Sequence, residues 1–147
     1  MNVKIKRLSK DIPLPQYQTP GSVAFDLASA MDMIIAPRDI QLIPTGLIIS
    51  TPPGFMLMLS PRSSLPLKKG LTMPNGPGII DQDYCGPEDE VKIQIINLTD
   101  KPVEIKKGDR IAQAMFVNIG RAILEETEIL ESTESRGGFG STAGYAQ

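Results

Sequence analysis

The chain has 147 residues, 41% of them hydrophobic and 22% charged, with a formal net charge of −2. That fits one domain with a sizeable core and argues against a fold whose main task is coating a nucleic-acid backbone. With no histidine and one cysteine, it excludes a His-based triad, a His metal ligand, a Cys-rich zinc site and an intramolecular disulfide. An enzyme of this composition takes its base from a carboxylate, and any metal is a hard cation held by oxygen, such as Mg2+. No run of ~18 apolar residues is present, so no membrane span is expected. Residues 1–7 lack the apolar core of a signal peptide, and a cytoplasmic location is the expectation.

Thirteen glycines and thirteen prolines exceed the ordinary combined share of ~12%. They are dispersed, and they cut the chain into short apolar runs, the signature of an all-β fold. In chain order, strands are expected at 3–7, 23–28, 33–36, 40–43, 46–50, 54–60, 78–81, 91–97, 103–105, 110–117 and 122–130. The run from Phe55 to Leu59 is continuously apolar and reads as a strand buried on both faces. Val91, Ile93 and Ile95 share one face, with Lys92 and Gln94 on the other. One short helix is expected over 64–69, capped by Ser63, with Pro66 in its first turn and Gly70 as its stop. Residues 132–147 are rich in Gly, Ser and Thr and read as a mobile tail on a domain spanning 1–131.

Five islands carry candidate chemistry. In residues 23–28, Phe25 and Leu27 point to the core and Asp26 to the other face; alone, Asp26 reads as a surface aspartate. Residues 60–65 follow a strand and open the helix, where free backbone N–H groups and the Arg62 guanidinium suit a phosphate; the plain alternative is a capped helix with a solvated arginine. Residues 75–90 hold turn dipeptides, the Ile79–Ile80 pair, Asp81, Asp83, Tyr84 and Cys85. With the alternating run 90–97 they draw a hairpin with carboxylates at its tip or side. The Asp81/Asp83 pair suits Mg2+ or a general base, or else these are turn aspartates bonding their own backbone. Cys85, with no partner, reads as a small buried residue. In residues 107–116 a Lys-Gly-Asp turn feeds a strand in which Ile111 and Met115 share a face with the polar Gln113 between them. In residues 136–142, glycines around Phe139 suit a lid, with Arg136, Ser141 and Thr142 meeting phosphates; the alternative is a low-complexity tail with a chance Arg-Gly-Gly.

In order and spacing, these islands resemble the five motifs of the trimeric dUTPase family, from about Val23 to Gly144. The most specific pieces are Asn75-x-x-Gly-x-Ile-Asp-x-Asp-Tyr84, Arg62-Ser-Ser-Leu65 and Gly137-Gly-Phe-Gly-Ser-Thr142. The resemblance implies a distorted jelly-roll (a β-clip) with one short helix, assembled as a homotrimer with active sites shared between chains. It implies hydrolysis of dUTP to dUMP and pyrophosphate, which limits uracil incorporation into DNA and supplies dUMP for thymidylate synthesis. Asp81 then matches the aspartate that activates the attacking water. Asn75, Gly78 and Ile80 match the hairpin that accepts uracil, largely through backbone groups. Tyr84 matches the tyrosine that lies against the deoxyribose. Arg62, Ser63, Ser64 and Gln113 match phosphate or water-positioning contacts. Mg2+ is carried by the substrate triphosphate with no direct protein ligand, Asp26 reaching it through water. The arm 132–147 closes over an active site, bringing Arg136, Phe139, Gly140 and Ser141, with Phe139 covering uracil. Neither a nucleic acid nor a membrane is an expected partner.

Three features depart from the family pattern. Val23-Ala24 stands where Ala-Gly is usual; 87–90 is a longer acidic connection; and Arg136 adjoins Gly137 directly instead of lying two residues further upstream. Three other functions compete with this one. A dCTP deaminase shares the fold and the Arg-Ser-Ser motif, but a Pro-Gly-aromatic is expected there where Asp83-Tyr84 stands. A non-catalytic jelly-roll has no need of Asp81, Tyr84, Arg62 and Gln113 together. A nucleic-acid-binding Arg-Gly-Gly tail sits poorly with the acidic balance.

Overall fold

Prolines and glycines end each apolar run before a long helix can form. The computed structural model, which describes residues 1–128, 134, 135, 137 and 138, shows eleven short strands and one helix. The strands are β1 (Ile5–Arg7), β2 (Phe25–Ala28), β3 (Met33–Ile35), β4 (Ile40–Pro44), β5 (Leu47–Ile49), β6 (Phe55–Pro61), β7 (Leu71–Thr72), β8 (Gly78–Ile80), β9 (Lys92–Asn97), β10 (Val103–Ile105) and β11 (Arg110–Asn118), with the helix α1 (Leu65–Lys69) between β6 and β7. All pairings are antiparallel. A four-stranded sheet has the order β2-β11-β6-β8, a three-stranded sheet the order β4-β9-β7, and β1-β5 and β10-β3 form two ribbons.

All four sheets turn one face to a single core, as a jelly-roll requires. Leu27, Leu57, Leu59, Ala112 and Ala114 enter it from the four-stranded sheet, Ile43, Leu71, Ile93 and Ile95 from the three-stranded one, and Ile35, Ile49 and Ile105 from the ribbons. Val91, Ile93 and Ile95 are fully buried, as their alternation predicts. Truncating one such Leu or Ile to Ala costs ~2–5 kcal/mol. Asn97 continues that buried face, and its amide is fully engaged. Nδ2 donates to the Ile35 carbonyl at 2.9 Å and the Lys101 carbonyl at 2.8 Å, while Oδ1 accepts from the Thr99 N–H at 2.8 Å.

The structure corrects several expectations. The β6 run is buried on one face only: Leu57 and Leu59 reach the core, whereas Met56 and Met58 are half-buried on the outer face. The 75–90 stretch is not a two-stranded hairpin. Its first strand, β8, pairs with β6, and β9 pairs with β4 and β7, so the connection crosses from one sheet to another. Both strands bury a face in the same core, and burial from opposite sheets satisfies both apolar patterns. A register shift between Arg110 and Ala112 breaks the period of two in β11. Ala112 and Ala114 are buried, and Gln113 turns to the outer face with Met115 instead of sharing a face with Ile111. Residues 122–128 form no strand, and Ile123 and Leu124 are 98% and 93% exposed; alternation alone does not make a strand without a neighbour to pair with. The helix begins one residue late, with Ser64 as its N-cap and no side-chain cap bond, so Ser63 does not cap it. Gly70 does stop it, at φ 64°, where a Cβ would meet Thr99 Cγ2 at 2.2 Å.

Candidate active site

Two groups of predicted residues occupy opposite ends of the four-stranded sheet. At one end, β2, β11 and β6 place Asp26 beside Gln113 and Gln113 beside Ser60. The Asp26 side chain is only 12% exposed and lies between two guanidiniums. Oδ1 meets Arg62 Nε at 2.8 Å, and Oδ2 accepts from Arg110 Nη1 at 3.0 Å. Asp26 is therefore no surface aspartate; it is the anchor of an arginine pair. Gln113 Nε2 donates to the Pro61 carbonyl at 3.3 Å, which fixes the chain just before Arg62.

Arg62 spends its Nε on Asp26, and its two terminal nitrogens take no acceptor among the described residues. The next side chain, Ser63, is exposed, and Ser64 is half-buried at the helix start. A groove of about 310 Å³ runs from here, lined by Arg62, Ser64, Lys68, Lys69, Asp109 and Arg110 among others. Lys69 Nζ meets Asp109 Oδ2 at 2.7 Å, and that bond, first among several, holds the Asp109 carboxyl below its ordinary value. Four cations stand against Asp26 and Asp109, so the excess charge is positive and suits an anion such as a phosphate chain. Arg110, Lys68 and Lys69 were not singled out in the sequence. Charges at a strand start and on a helix read as solvated, and only the pairing of β2 with β11 sets Arg110 against Asp26.

At the other end, the loop between β8 and β9 is built from its own backbone and capping groups. Gly86 N–H donates to Asp89 Oδ2 at 2.7 Å, Cys85 N–H to the Asp83 carbonyl at 2.9 Å, and Gly46 N–H to Glu90 Oε1 at 2.7 Å. Asp89, which with Glu88 reads in the sequence as a solvated residue of an extended connection, is thus structural, and so is Glu90. Asp83 joins the turn through its carbonyl. Tyr84 donates its hydroxyl to the Glu90 carbonyl at 3.1 Å and remains 39% exposed, which presents its ring to solvent. Asp81 is exposed. Cys85, expected to be buried, is exposed as well, because the turn that carries it lies outside the core. Asn75 is exposed in the turn before β8, and Ile80 is half-buried. Gly78 is buried against β6, where a Cβ would meet Leu59 Cβ at 3.3 Å. β8 is an edge strand with β6 on one side only, so its outward backbone N–H and C=O groups are open to a ligand.

The structure brings Asp26, Arg62, Ser64 and Gln113 together but does not bring Asp81 or Tyr84 to them. Ile80 faces Leu57 across the ladder, whereas Arg62 lies beyond Pro61 at the end of the same strand. At ~3.3 Å per strand residue, the two ends are ~16 Å apart. Arg136, Phe139, Gly140 and Ser141 lie outside the described residues. Among the described residues no group of three or more His, Cys, Asp or Glu is placed to hold a metal, and both Asp26 oxygens already accept from arginines.

A family model described as dUTPase matches residues 10–143. The chain is 46% identical to the deoxyuridine 5'-triphosphate nucleotidohydrolase of Wolbachia sp. subsp. Brugia malayi, covering 97% of this chain and 94% of that protein. It is 41% identical to that of Thermobifida fusca, over 99% and 81%. Among solved structures it is similar to the Staphylococcus bacteriophage 80alpha dUTPase with dUPNHPP, with a TM-score of 0.84 and 28% identity over 95% of this chain and 97% of that one. It is also similar to the dUTPase from Streptococcus mutans, with a TM-score of 0.75 and 30% identity over 86% and 100%. An arginine-rich anion groove, an open edge strand beside an exposed aspartate and tyrosine, and a family match over nearly the whole chain agree: the protein belongs to the dUTPase family.

Proposed function

We propose that the protein hydrolyses dUTP to dUMP and pyrophosphate at sites shared between copies of a homotrimer. The observation that carries this is a separation along one chain: Ile80, the residue before Asp81, faces Leu57, ~16 Å of strand from Arg62. A nucleotide held at its base and sugar by one chain meets phosphate ligands from the next.

In this reading the uracil edge pairs with the open backbone of β8 around Gly78 and Ile80, next to Asn75. The Tyr84 ring lies against the deoxyribose and leaves no room for a 2′-hydroxyl. Arg62, Ser63, Ser64 and Gln113 bind the triphosphate. Asp81 takes a proton from water as its oxygen attacks the α-phosphorus; the α–β anhydride bond breaks and pyrophosphate leaves. Mg2+ carried by the triphosphate would neutralise phosphate charge there, and Asp26, already paired with Arg62 and Arg110, would meet it through water. Residues 1–131 form the catalytic domain. The arm 132–147 closes over the site of another copy, with Phe139 over the base and Arg136, Gly140 and Ser141 toward the phosphates, and the exclusion of water strengthens each charge contact. A free nucleotide as substrate and one unpaired cysteine suit a cytoplasmic location, and neither a membrane nor a nucleic acid is needed as partner.

Pyrophosphate release should be measured from dUTP, dTTP, dCTP and UTP, with and without Mg2+. Turnover confined to dUTP supports the assignment, and equal turnover of UTP would remove Tyr84 from its role. The shared site has its own test. Asp81→Asn and Arg62→Ala variants, each inactive, are mixed and reassembled. Recovered activity places Asp81 and Arg62 of one site on different chains; no recovery in mixed assemblies would put them on the same chain.

A further inference from the structure

The acidic connection 87–90, longer than the family pattern, takes no part in the chemistry proposed for Asp81 and Tyr84, yet it ends on the group that holds Tyr84. The Tyr84 ring is exposed and outside the core, and among the described residues no aromatic stacks on it. Its one directed bond there is the hydroxyl's, donated to the Glu90 carbonyl at 3.1 Å. An exposed aromatic with no other hold turns among staggered χ1 rotamers, and this bond selects one.

The acceptor is itself fixed. The Glu90 carbonyl shares a planar peptide with the Val91 N–H, which donates to the Leu47 carbonyl at 2.9 Å. The Glu90 carboxylate accepts from the Gly46 N–H at 2.7 Å, and Thr45 Oγ1 donates to the Val91 carbonyl at 2.6 Å. Thr45, Gly46, Leu47 and Val91 are all buried, so the corner that carries Glu90 belongs to the core. Just before it, the Asp89 carboxylate accepts from the Gly86 N–H at 2.7 Å and the Asp89 N–H donates to the Gly86 carbonyl at 3.3 Å, which closes the return of the chain from Tyr84.

We propose that this connection is a strut for sugar selection, with Glu90 as the positioning residue that holds Tyr84. The proposal rests on the reading of Tyr84 as the wall against a 2′-hydroxyl and deepens it. A wall refuses an added hydroxyl only as strongly as it resists displacement, and an apolar surface by itself discriminates weakly against an isostere that bears one. Tied to the core through Glu90, the ring yields to a ribonucleotide only if the Tyr84–Glu90 bond breaks or the corner shifts. A deoxyribonucleotide meets the ring where it stands.

The readout is the ratio of kcat/KM for dUTP to that for UTP, taken beside the melting temperature. Glu90→Ala is expected to lower the ratio at least tenfold. Glu90→Gln, whose Oε1 still accepts from Gly46, is expected to stay within threefold of wild type. Tyr84→Phe keeps the ring and loses the tether, so its ratio should fall as far. Adding Glu90→Ala to it should then change the ratio less than twofold, since both act through one bond. Should Glu90→Ala fail to fold, Asp89→Ala, which releases the Gly86 N–H, is expected to lower the ratio at least threefold. A folded Glu90→Ala protein with a lower melting temperature and the wild-type ratio would overturn the strut and leave dUTP hydrolysis standing. Equal use of dUTP and UTP by the wild type would overturn the reading of Tyr84, and the strut with it.

Discussion

At the Asp26 end of the four-stranded sheet side chains hold one another; at the Asp81 end the backbone does the holding. Asp26 is nearly buried between Arg62 and Arg110, so two long, rotamer-rich side chains are already aimed before any ligand arrives. Arginine carries about 2 kcal/mol of side-chain entropy, and ordering it in advance spares the ligand that cost. Asp81 sits exposed on a loop knit by Asp89, Glu90 and backbone bonds. The contrast separates two carboxylates that look alike in sequence. A carboxylate whose oxygens already accept from guanidiniums is a scaffold, and one left open to water is available as a base.

Replacing Asp81 is the sharpest way to break that contrast. Asp81→Asn should lower kcat by about 10³-fold, in the middle of the range for a lost general base, which is ~4 kcal/mol of barrier. KM for dUTP and the thermal midpoint should stay near wild type, because the side chain is exposed. A kcat within tenfold of wild type would transfer the role elsewhere. Replacing Asp26 should act through a different parameter. Asp26→Asn frees both arginines, so KM should rise and kcat/KM fall by ~10–100-fold, the price of ~1.4–2.7 kcal/mol. It should also lower stability, since removing one partner of a buried pair leaves the others uncompensated. Asp26→Asn and Arg62→Ala should be non-additive, as expected of groups in one network. Additive losses would show that Asp26 does not act through Arg62.

How much of this was legible in the sequence follows from which interactions are local. Ten strands and the helix were foreseen within a few residues, because turn residues and alternation are local. The two-residue β7 was not, since Leu71 and Thr72 pair with β9 only after Gly70 has turned the chain. The assumption that neighbours in sequence pair with each other produced the false hairpin of β8 and β9. The face of Gln113 was misjudged because a bulge resets the period, and nothing in Arg110-Ile-Ala112 announces one. Asp81, Tyr84 and Arg62 stand out in their local sequence, and family resemblance supplies the role expected of each. Arg110 needed the sheet, and the buried amide of Asn97 needed the β3–β9 neighbourhood that supplies its acceptors.

The smallest effect concerns the turn that delivers Arg110 to Asp26. Asp109 closes it by accepting from the Lys106 N–H at 3.1 Å and pairs with Lys69, and next to it Lys107 pairs with Asp11. The Lys107 hydrogen bond, with help from Ser9, brings Asp11 from 3.8 to about 2, and Lys69 chiefly lowers Asp109. A carboxyl held lower in the folded state than in the unfolded one gives the unfolded chain the greater proton uptake. The stability it contributes is present above pH 3.8 and is lost as pH falls toward about 2. Solvent screens both pairs, so the contribution is small. The thermal midpoint of wild type should fall between pH 5 and pH 3 by slightly more than that of Asp11→Asn or Asp109→Asn, which have nothing there to protonate. Parallel declines in all three would show that these pairs do not steady the turn. The arginine that turn positions would then owe its place to the β2–β11 ladder and Asp26 alone.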